Sequence, residues 1–148
     1  HTPGHFGNHL SFGWAKAIFC GDHIMGWSSS LVSPPDGDMG AYMASLARLA
    51  QAGPARLYSG HGDPIADPAA RIGELTAHRR AREAAVLAAL AEAPADAPTL
   101  TRRIYTSTPP ALMRAAERNV LAHLIDLSQR KLIVPEATLT AKTQFRLA

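Results

Sequence analysis

Short apolar runs, separated by a few polar residues, open the chain. Residues 10–13 and 17–20 are rich in aromatic and aliphatic side chains and flank Trp14-Ala15-Lys16, a spacing that predicts the two strands of a hairpin. Residues 26–38 contain three consecutive serines and the turn sequence Pro34-Pro35-Asp36-Gly37. That composition excludes a helix and predicts a long loop after the second strand.

Helical spacing begins after this loop. Apolar residues recur three or four positions apart, at Met39, Tyr42, Met43, Leu46 and Leu49. The pattern stops at Gly53-Pro54, and residues 56–58 predict a brief strand that runs into Ser59-Gly60-His61-Gly62. Asp67-Pro68 has the form of an N-cap followed by proline at the first helical position, and it predicts a helix to about Glu92. The predicted order is strand, strand, helix, strand, helix.

A proline-bounded stretch at residues 94–98 interrupts the long helical pattern and separates two segments. Beyond it, residues 100–105 predict a short helix, and Thr108-Pro109-Pro110 predicts the cap of the next one. The apolar stripe of that next helix is Met113, Ala116, Val120, Leu124 and Leu127. The helix is expected to end near Lys131, and residues 132–135 and 143–147 predict a two-stranded ribbon. If the end of the helix that begins at Asp67 is counted as the first helix, this segment has three helices and a ribbon, which is the winged-helix arrangement.

Composition and charge then narrow the class of protein. With 148 residues, 47% of them apolar and 18% charged, the chain predicts a globular protein with one core or two small ones, and this composition argues against disorder. The net charge of +3 excludes a strongly basic nucleic-acid arm. Residues 1–98 carry 7 basic and 9 acidic side chains, a net of −2, whereas residues 99–148 carry 8 and 3, a net of +5. The C-terminal segment is therefore a small basic module.

Cysteine content and hydropathy predict the compartment. The one cysteine, Cys20, cannot close an internal disulfide, which argues against a disulfide-stapled secreted scaffold and predicts a cytoplasmic protein. No stretch approaches the ~20 apolar residues that span a bilayer, so a soluble protein with no membrane partner is expected. The chain opens on His1 with neither an initiator Met nor a signal-peptide pattern, which leads us to expect a fragment or an internal start.

The candidate chemistry lies in three glycine-containing turns, each next to a predicted strand. They are His1-Thr2-Pro3-Gly4-His5, Gly21-Asp22-His23 and Ser59-Gly60-His61-Gly62. Imidazole and carboxylate groups are ligands for Zn²⁺ and similar divalent metals, and glycine lets the backbone turn sharply beside them. Together the three turns predict one converging metal site.

In this order, the three motifs resemble those of the metallo-β-lactamase-fold hydrolases, in particular the glyoxalase-II-like and β-lactamase-like-protein-2 branch. The resemblance covers residues 1–90, and the basic segment is similar to the winged-helix domain at the C-terminus of that second group. It implies an α/β fold: residues 1–76 would be the C-terminal half of an αββα metallo-β-lactamase sandwich. Residues 77–148 would then form a small winged-helix-like domain.

The resemblance also implies the roles of three residues. His5 would be the third histidine ligand of one metal, His61 a ligand of the second, and Asp22 the catalytic carboxylate that bridges both. Two divalent metals, Zn²⁺ with Fe or Mn as alternatives, would activate a shared hydroxide against an ester, thioester or phosphodiester. Antibiotic-destroying lactamases place a Cys ligand where this chain has Asp22, which speaks against that substrate class. The alternative for all three residues is that they cap strands or bond loop backbones.

One family motif is absent from these 148 residues: the His-x-His-x-Asp-His loop that supplies ligands to both metals. Only three of an expected seven ligand residues are present. We therefore expect the chain to be inactive alone and to need the N-terminal half of the same protein as its partner, and a homodimer is left open.

Further candidates each have an equally plain alternative. Ser28, Ser29 and His78 are candidates for substrate contact, although a polar turn explains the serines and a solvated helix face explains the histidine. Arg114 and Arg118 lie one helical turn apart and are candidates for contact with nucleic acid, although they too suit a solvated face. The second function that the sequence supports is thus a winged-helix module that binds nucleic acid without turnover. A domain that shapes the channel for a small (thio)ester or an anionic substrate such as RNA fits the first function.

Overall fold

The computed structural model describes residues 1–138, 140 and 142–148. Their contacts group into two units, His1–Arg79 and Arg80–Ala148. The predicted domain boundary, between residues 76 and 77, stays a prediction. Among the described residues, no helix is both long and apolar enough to cross a membrane.

The sheet of the first unit has three strands in the order β1-β2-β3: β1 (Phe12–Trp14), β2 (Ala17–Gly21) and β3 (Arg56–Ser59). Trp14 pairs with Ala17, so Ala15 and Lys16 alone form the hairpin turn, and Ala15 takes a positive φ of 52° there. β2 and β3 run parallel, joined by the long loop and a helix. The three predicted strands are confirmed, with ends shifted by one or two residues.

Two capped helices complete the first unit. The helix α1 (Met39–Gln51) begins where the Asp38 carboxylate accepts a hydrogen bond of 2.7 Å from the Ala41 N–H. Its buried face is Met39, Tyr42, Ser45, Leu46 and Leu49. The helix α2 (Pro68–Glu92) begins in the same way, with Asp67 accepting from the Ala70 N–H at 3.0 Å. Both helices are therefore where the sequence predicts them.

One face of the three-stranded sheet is buried and the other carries exposed aromatic side chains. Cys20 and Leu57 are fully buried on the first face. On the opposite face Phe12 pairs with Phe19 and Phe19 with Tyr58, and the rings of Phe19 and Tyr58 stack at 5.0 Å. Trp14, two residues after Phe12, extends this row, and its side chain is 76% exposed. We call Phe12, Trp14, Phe19 and Tyr58 the aromatic face.

The second unit begins within α2 and continues with α3 (Ala97–Ile104), α4 (Met113–Gln129) and a ribbon of β4 (Ile133–Pro135) and β5 (Phe145–Leu147). Its core is apolar throughout: Val86, Leu90, Ala95, Ala97, Leu100, Val120, Leu121, Leu124, Leu127, Ile133 and Phe145. Phe145 exchanges two backbone hydrogen bonds with Ala95, so the ribbon is also bonded to the segment before α3. Three helices and a ribbon form the winged-helix arrangement that the sequence predicts.

Two predicted helix starts in this unit are wrong. The helix α3 begins three residues earlier than residue 100, because the Asp96 carboxylate accepts from the Thr99 N–H at 2.9 Å and Pro98 fits the first turn, where no N–H is needed. Thr108 does not cap the next helix. A 3₁₀ turn, Pro110–Leu112, precedes α4 instead, and neither start has a capping side chain.

The Asp96 cap predicts a measurable loss of stability. Burial opposes ionisation of Asp96, but hydrogen bonds from Thr99 and the charge of Arg102 outweigh it and lower its pKa. Because the folded pKa is lowered, this stabilisation is present above the unfolded pKa and is lost as the pH falls through the folded one. Asp96→Ala should lower the free energy of unfolding in urea by about 1 kcal/mol at pH 7, and Asp96→Asn by much less. Equal losses would contradict the cap.

The aromatic face predicts self-association of the chain. Exposed aromatic side chains on a sheet with an edge strand favour pairing with another surface. In sedimentation velocity, the chain should form concentration-dependent oligomers that Phe12→Thr and Trp14→Thr reduce. Leu112→Thr is the matched control, because Leu112 is 56% exposed but belongs to the second unit. A chain that stays monomeric at high concentration would refute the prediction.

Candidate metal centre

The parallel pairing of β2 and β3 brings two of the predicted motifs together. Gly21 pairs with Ser59, and the Gly60 N–H donates to the Gly21 carbonyl at 3.1 Å. The residues that follow each strand therefore lie side by side at one end of the sheet. His61 Nε2 lies 3.6 Å from Asp22 Oδ2. Two residues 39 positions apart in sequence thus form a carboxylate–imidazole pair.

The two oxygens of Asp22 have different surroundings. Oδ2 faces His61, whose side chain is 70% exposed, whereas Oδ1 is buried and has no hydrogen-bond partner. A Cβ on Gly60 would lie 2.5 Å from Oδ1, so only glycine allows the second turn to approach this closely. An ionised oxygen buried without a donor is costly, and a cation beside it would remove that cost.

His5 has one ring nitrogen fixed by the backbone. Its Nδ1 lies 2.6 Å from the Leu31 carbonyl oxygen, which can only accept, so Nδ1 carries the proton. In the neutral imidazole, Nε2 is then left with its lone pair, the form in which histidine binds a metal. In this tautomer Nε2 is the ring nitrogen of His5 that can bind a metal, and its role as a ligand stays a prediction.

Sequence reasoning assigned no role to His9, although the residue lies in the middle of this region. Its ring centroid is 6.4 Å from that of His5 and 5.5 Å from that of His23. Its Nε2 lies over Gly21, 2.9 Å from where a Cβ would be, and its Nδ1 bonds the Thr2 hydroxyl at 3.0 Å. Burial and the neighbouring His5 lower its pKa. The only sequence signal was its position four residues after His5.

His23 is a buried, neutral imidazole and packs among other rings. It has no exposed surface, and its ring centroid is 4.6 Å from that of Tyr42 and 5.5 Å from that of His9. Burial first, then the charges of His9 and His5, lower its pKa to about 3. Neither ring nitrogen has a hydrogen-bond partner. His23 therefore lines the buried side of the region, next to Asp22.

These residues fit a divalent metal as part of a ligand set. A carboxylate with one unpartnered buried oxygen and an exposed imidazole are the donor types that Zn²⁺ and similar ions take. Within the described part of the chain, however, no three His, Cys, Asp or Glu side chains are grouped closely enough to hold an ion. Asp22 and His61 are brought together, while His5 does not complete a group with them.

The structure places the other candidates as follows. Ser28 and Ser29 are half-buried in the loop after β2, and the Ser28 hydroxyl donates to the Ser29 carbonyl at 3.3 Å. His78 is half-buried on α2. In the second unit Arg114 is exposed and Arg118 half-buried, both on α4. Their proposed contacts with substrate or nucleic acid stay predictions.

A cleft of about 340 Å³ opens beside the turn that contains His61. It is lined by Gly26, Trp27, Asp63, Pro64, Ile65 and Arg71. The Trp27 side chain is 71% exposed, and a Cβ on Gly62 would lie 3.0 Å from its indole. Trp27 is thus an exposed ring against Gly62, the residue after His61, and sequence reasoning did not single it out.

Comparison with known proteins identifies relatives of both units. Residues 97–141 match the model of the Beta-lactamase associated winged helix domain. The chain is 32% identical to the Beta-lactamase-like protein 2 homolog of Drosophila melanogaster, over 87% of the chain and 44% of that protein. It is 38% identical to the Atrochrysone carboxyl ACP thioesterase of Claviceps purpurea (strain 20.1), over 61% of the chain and 28% of that protein.

A solved structure of similar fold also belongs to a metallo-beta-lactamase family. The crystal structure of a metallo-beta-lactamase family protein from Thermus thermophilus matches with a TM-score of 0.83 and 29% sequence identity, over 99% of this chain and 48% of that one. The chain therefore spans half or less of the length of these relatives. Together the comparisons support membership of a hydrolase family.

Gly60→Ala should displace the Asp22 carboxylate, because the new Cβ would lie 2.5 Å from Oδ1. We expect shifted NMR resonances for the Asp22 carboxyl and the His61 ring, and a loss of about 1–3 kcal/mol in the free energy of unfolding. Gly73→Ala is the control, since a Cβ at Gly73 of α2 meets nothing within 4 Å and should be neutral or stabilising. Unmoved Asp22 and His61 resonances in Gly60→Ala would refute the close approach.

Proposed function

Because the chain belongs to the metallo-β-lactamase fold family and carries its associated winged helix domain, we propose that it forms part of a metal-dependent hydrolase. The observation that carries this proposal is the Asp22–His61 pair at 3.6 Å, with the second Asp22 oxygen buried and unpartnered. The sequence resemblance assigns a ligand role to the same two residues.

Asp22 and His61 would hold the metal, and His5 would join them through its Nε2. When bound, divalent cations supply Lewis acidity and activate water at neutral pH. The chain's own residues fix the donors for this chemistry. The Leu31 carbonyl fixes the tautomer of His5, Gly60 lets His61 approach Asp22, and Asp22 Oδ1 is buried without a hydrogen-bond partner.

We propose a thioester as the first substrate class. A relative 38% identical to this chain is named as a carboxyl ACP thioesterase, and the exposed Trp27 beside His61 offers an apolar surface to an acyl group. Esters and phosphodiesters are the other two candidate substrate classes. Each has an electrophilic centre bonded to an oxygen that a cation would polarise. The net charge of +5 on residues 99–148 would suit an anionic substrate such as RNA.

The N-terminal half of the same protein, which lies outside this chain, would supply the remaining ligands. These would include the ligands that hold the second metal of a dinuclear site. Two observations support this proposal: the chain spans only 44–48% of two of its relatives, and the described residues contain no three-residue ligand group. The aromatic face offers a surface for that segment. We also propose a cytoplasmic location, and the support for it is that the one cysteine of these 148 residues, Cys20, is free and buried.

Titration of the chain with Zn²⁺ in a calorimeter tests the proposed ligands. We expect one weak site, because only two or three donors are present where a stable Zn²⁺ site needs about four. Asp22→Ala and His61→Ala should each weaken binding about tenfold or more. Asp63→Ala is the control, an exposed carboxylate two residues from His61.

Two outcomes would contradict this proposal. Binding that both Asp22→Ala and His61→Ala leave unchanged would exclude the pair as ligands. Two tight sites per chain, with hydrolysis of a thioester panel, would show that the chain needs no partner segment. The nucleic-acid module is the alternative: salt-dependent binding of RNA or DNA, lost in Arg114→Ala and Arg118→Ala and without any metal dependence, would favour it.

A further inference from the structure

Arg79 is an arginine whose side chain is buried in the first unit, only 1% exposed. Its guanidinium lies over the Tyr42 ring, 5.2 Å from the ring centre, and donates a hydrogen bond to the Ser30 carbonyl. Tyr42 and Ser30 are themselves fully buried. Burying a guanidinium costs free energy unless its environment compensates the charge, so a position like this calls for a structural or functional reason.

Ser30 connects Arg79 to the turn that carries Asp22. The Ser30 hydroxyl lies 2.5 Å from the Asp22 carbonyl oxygen and 3.0 Å from that of His23, so its one proton is shared between them. Both carbonyls belong to the turn directly after β2. The backbone from which the Asp22 side chain projects is therefore bonded to Ser30, and Ser30 is bonded to α2 through Arg79.

A second arginine of α2 bonds the same loop further along. Arg71 donates from Nε to the Met25 carbonyl and from a terminal nitrogen to the Ser28 carbonyl, each at 2.8 Å. Arg71 and Arg79 are eight residues apart, about two helical turns, and so project from the same side of α2. Residues 22–30 contain neither helix nor strand. The two arginine side chains thus donate hydrogen bonds to backbone carbonyls that lie outside any helix or strand.

We propose that Arg79 is a positioning residue for the Asp22 carboxylate. Through Ser30, it fixes the turn that determines where Asp22 lies relative to His61. That Arg79 affects metal binding rests on the proposed function. That Arg79 fixes the turn after β2 does not. Of these two arginines, Arg71 bonds the loop at Met25 and Ser28, whereas Arg79 is connected through Ser30 to the backbone of Asp22.

The test compares variants of the full chain by amide hydrogen exchange and by Zn²⁺ titration. Arg79→Met removes the donors at similar volume, Arg79→Lys keeps a charge and a donor, and Ser30→Ala removes the hydroxyl alone. Arg80→Met is the matched control, because Arg80 is the exposed neighbour of Arg79. In Arg79→Met we expect amides of residues 22–30 to exchange about tenfold faster or more, while β3 and α4 keep their protection.

Zn²⁺ affinity should fall about tenfold in Arg79→Met and recover in part in Arg79→Lys. Ser30→Ala should reproduce the faster exchange, and the double variant should add little, since both changes break one connection. If Arg79→Met does not fold, Ser30→Ala alone decides the matter. Exchange that is unchanged in residues 22–30, or faster by the same factor throughout the chain, would overturn the proposal.

The two readouts separate this inference from the proposed function. If the unaltered chain binds no Zn²⁺, the proposed function fails, and the exchange of residues 22–30 still decides the role of Arg79. If Zn²⁺ binds through Asp22 and His61 but Arg79→Met and Ser30→Ala change neither its affinity nor the exchange of the turn, the proposed function stands and the positioning role is wrong.

Discussion

The parallel pairing of β2 with β3 is the contact on which the candidate site depends. Parallel strands present their carboxyl ends at the same edge of a sheet, so whatever follows each strand meets there. Here the turns after Gly21 and Ser59 meet, and the bond from the Gly60 N–H to the Gly21 carbonyl joins them. Asp22 and His61 come together because of this pairing, and the pair would be lost if the register slipped, since one residue of slip reverses the faces of the strand.

Two glycines, Gly60 and Gly4, lie where the backbone comes unusually close to another part of the chain. At Gly60 a Cβ would collide with the Asp22 carboxylate, and at Gly4, with a φ of +140°, it would lie 2.3 Å from the Tyr42 backbone. Gly4 therefore lets the segment that contains His5 pack directly on α1. At Gly60 the backbone approaches the candidate ligand Asp22, and at Gly4 it approaches the helix α1. Neither approach would be possible with a larger residue.

The loop after β2 illustrates how a chain orders a segment without secondary structure. Its carbonyls would be unsatisfied if they were simply buried, a cost of about 1–3 kcal/mol for each such group. Side chains of α2 bond several of them, and at the end of the loop the Asp38 carboxylate caps α1. The loop is therefore ordered by the helices around it, which also fixes the backbone of Asp22. Order in the candidate site thus depends on packing outside it.

Local pattern alone determined most of the fold. Periodicity, the cap residue Asp67, and the turn chemistry around β1 and β2 are properties of neighbouring residues, and they predict each strand and helix to within a few positions. They also predict the three glycine turns and the winged-helix order. The three turns predict that Asp22 and His61 converge, but only the tertiary structure decided the geometry of their pair, that His9 lies among the candidate ligands, and that Arg79 is buried. The reason is that contacts between residues distant in sequence depend on how the elements pack, and an arginine on a helix has the same local pattern whether it faces solvent or a buried loop.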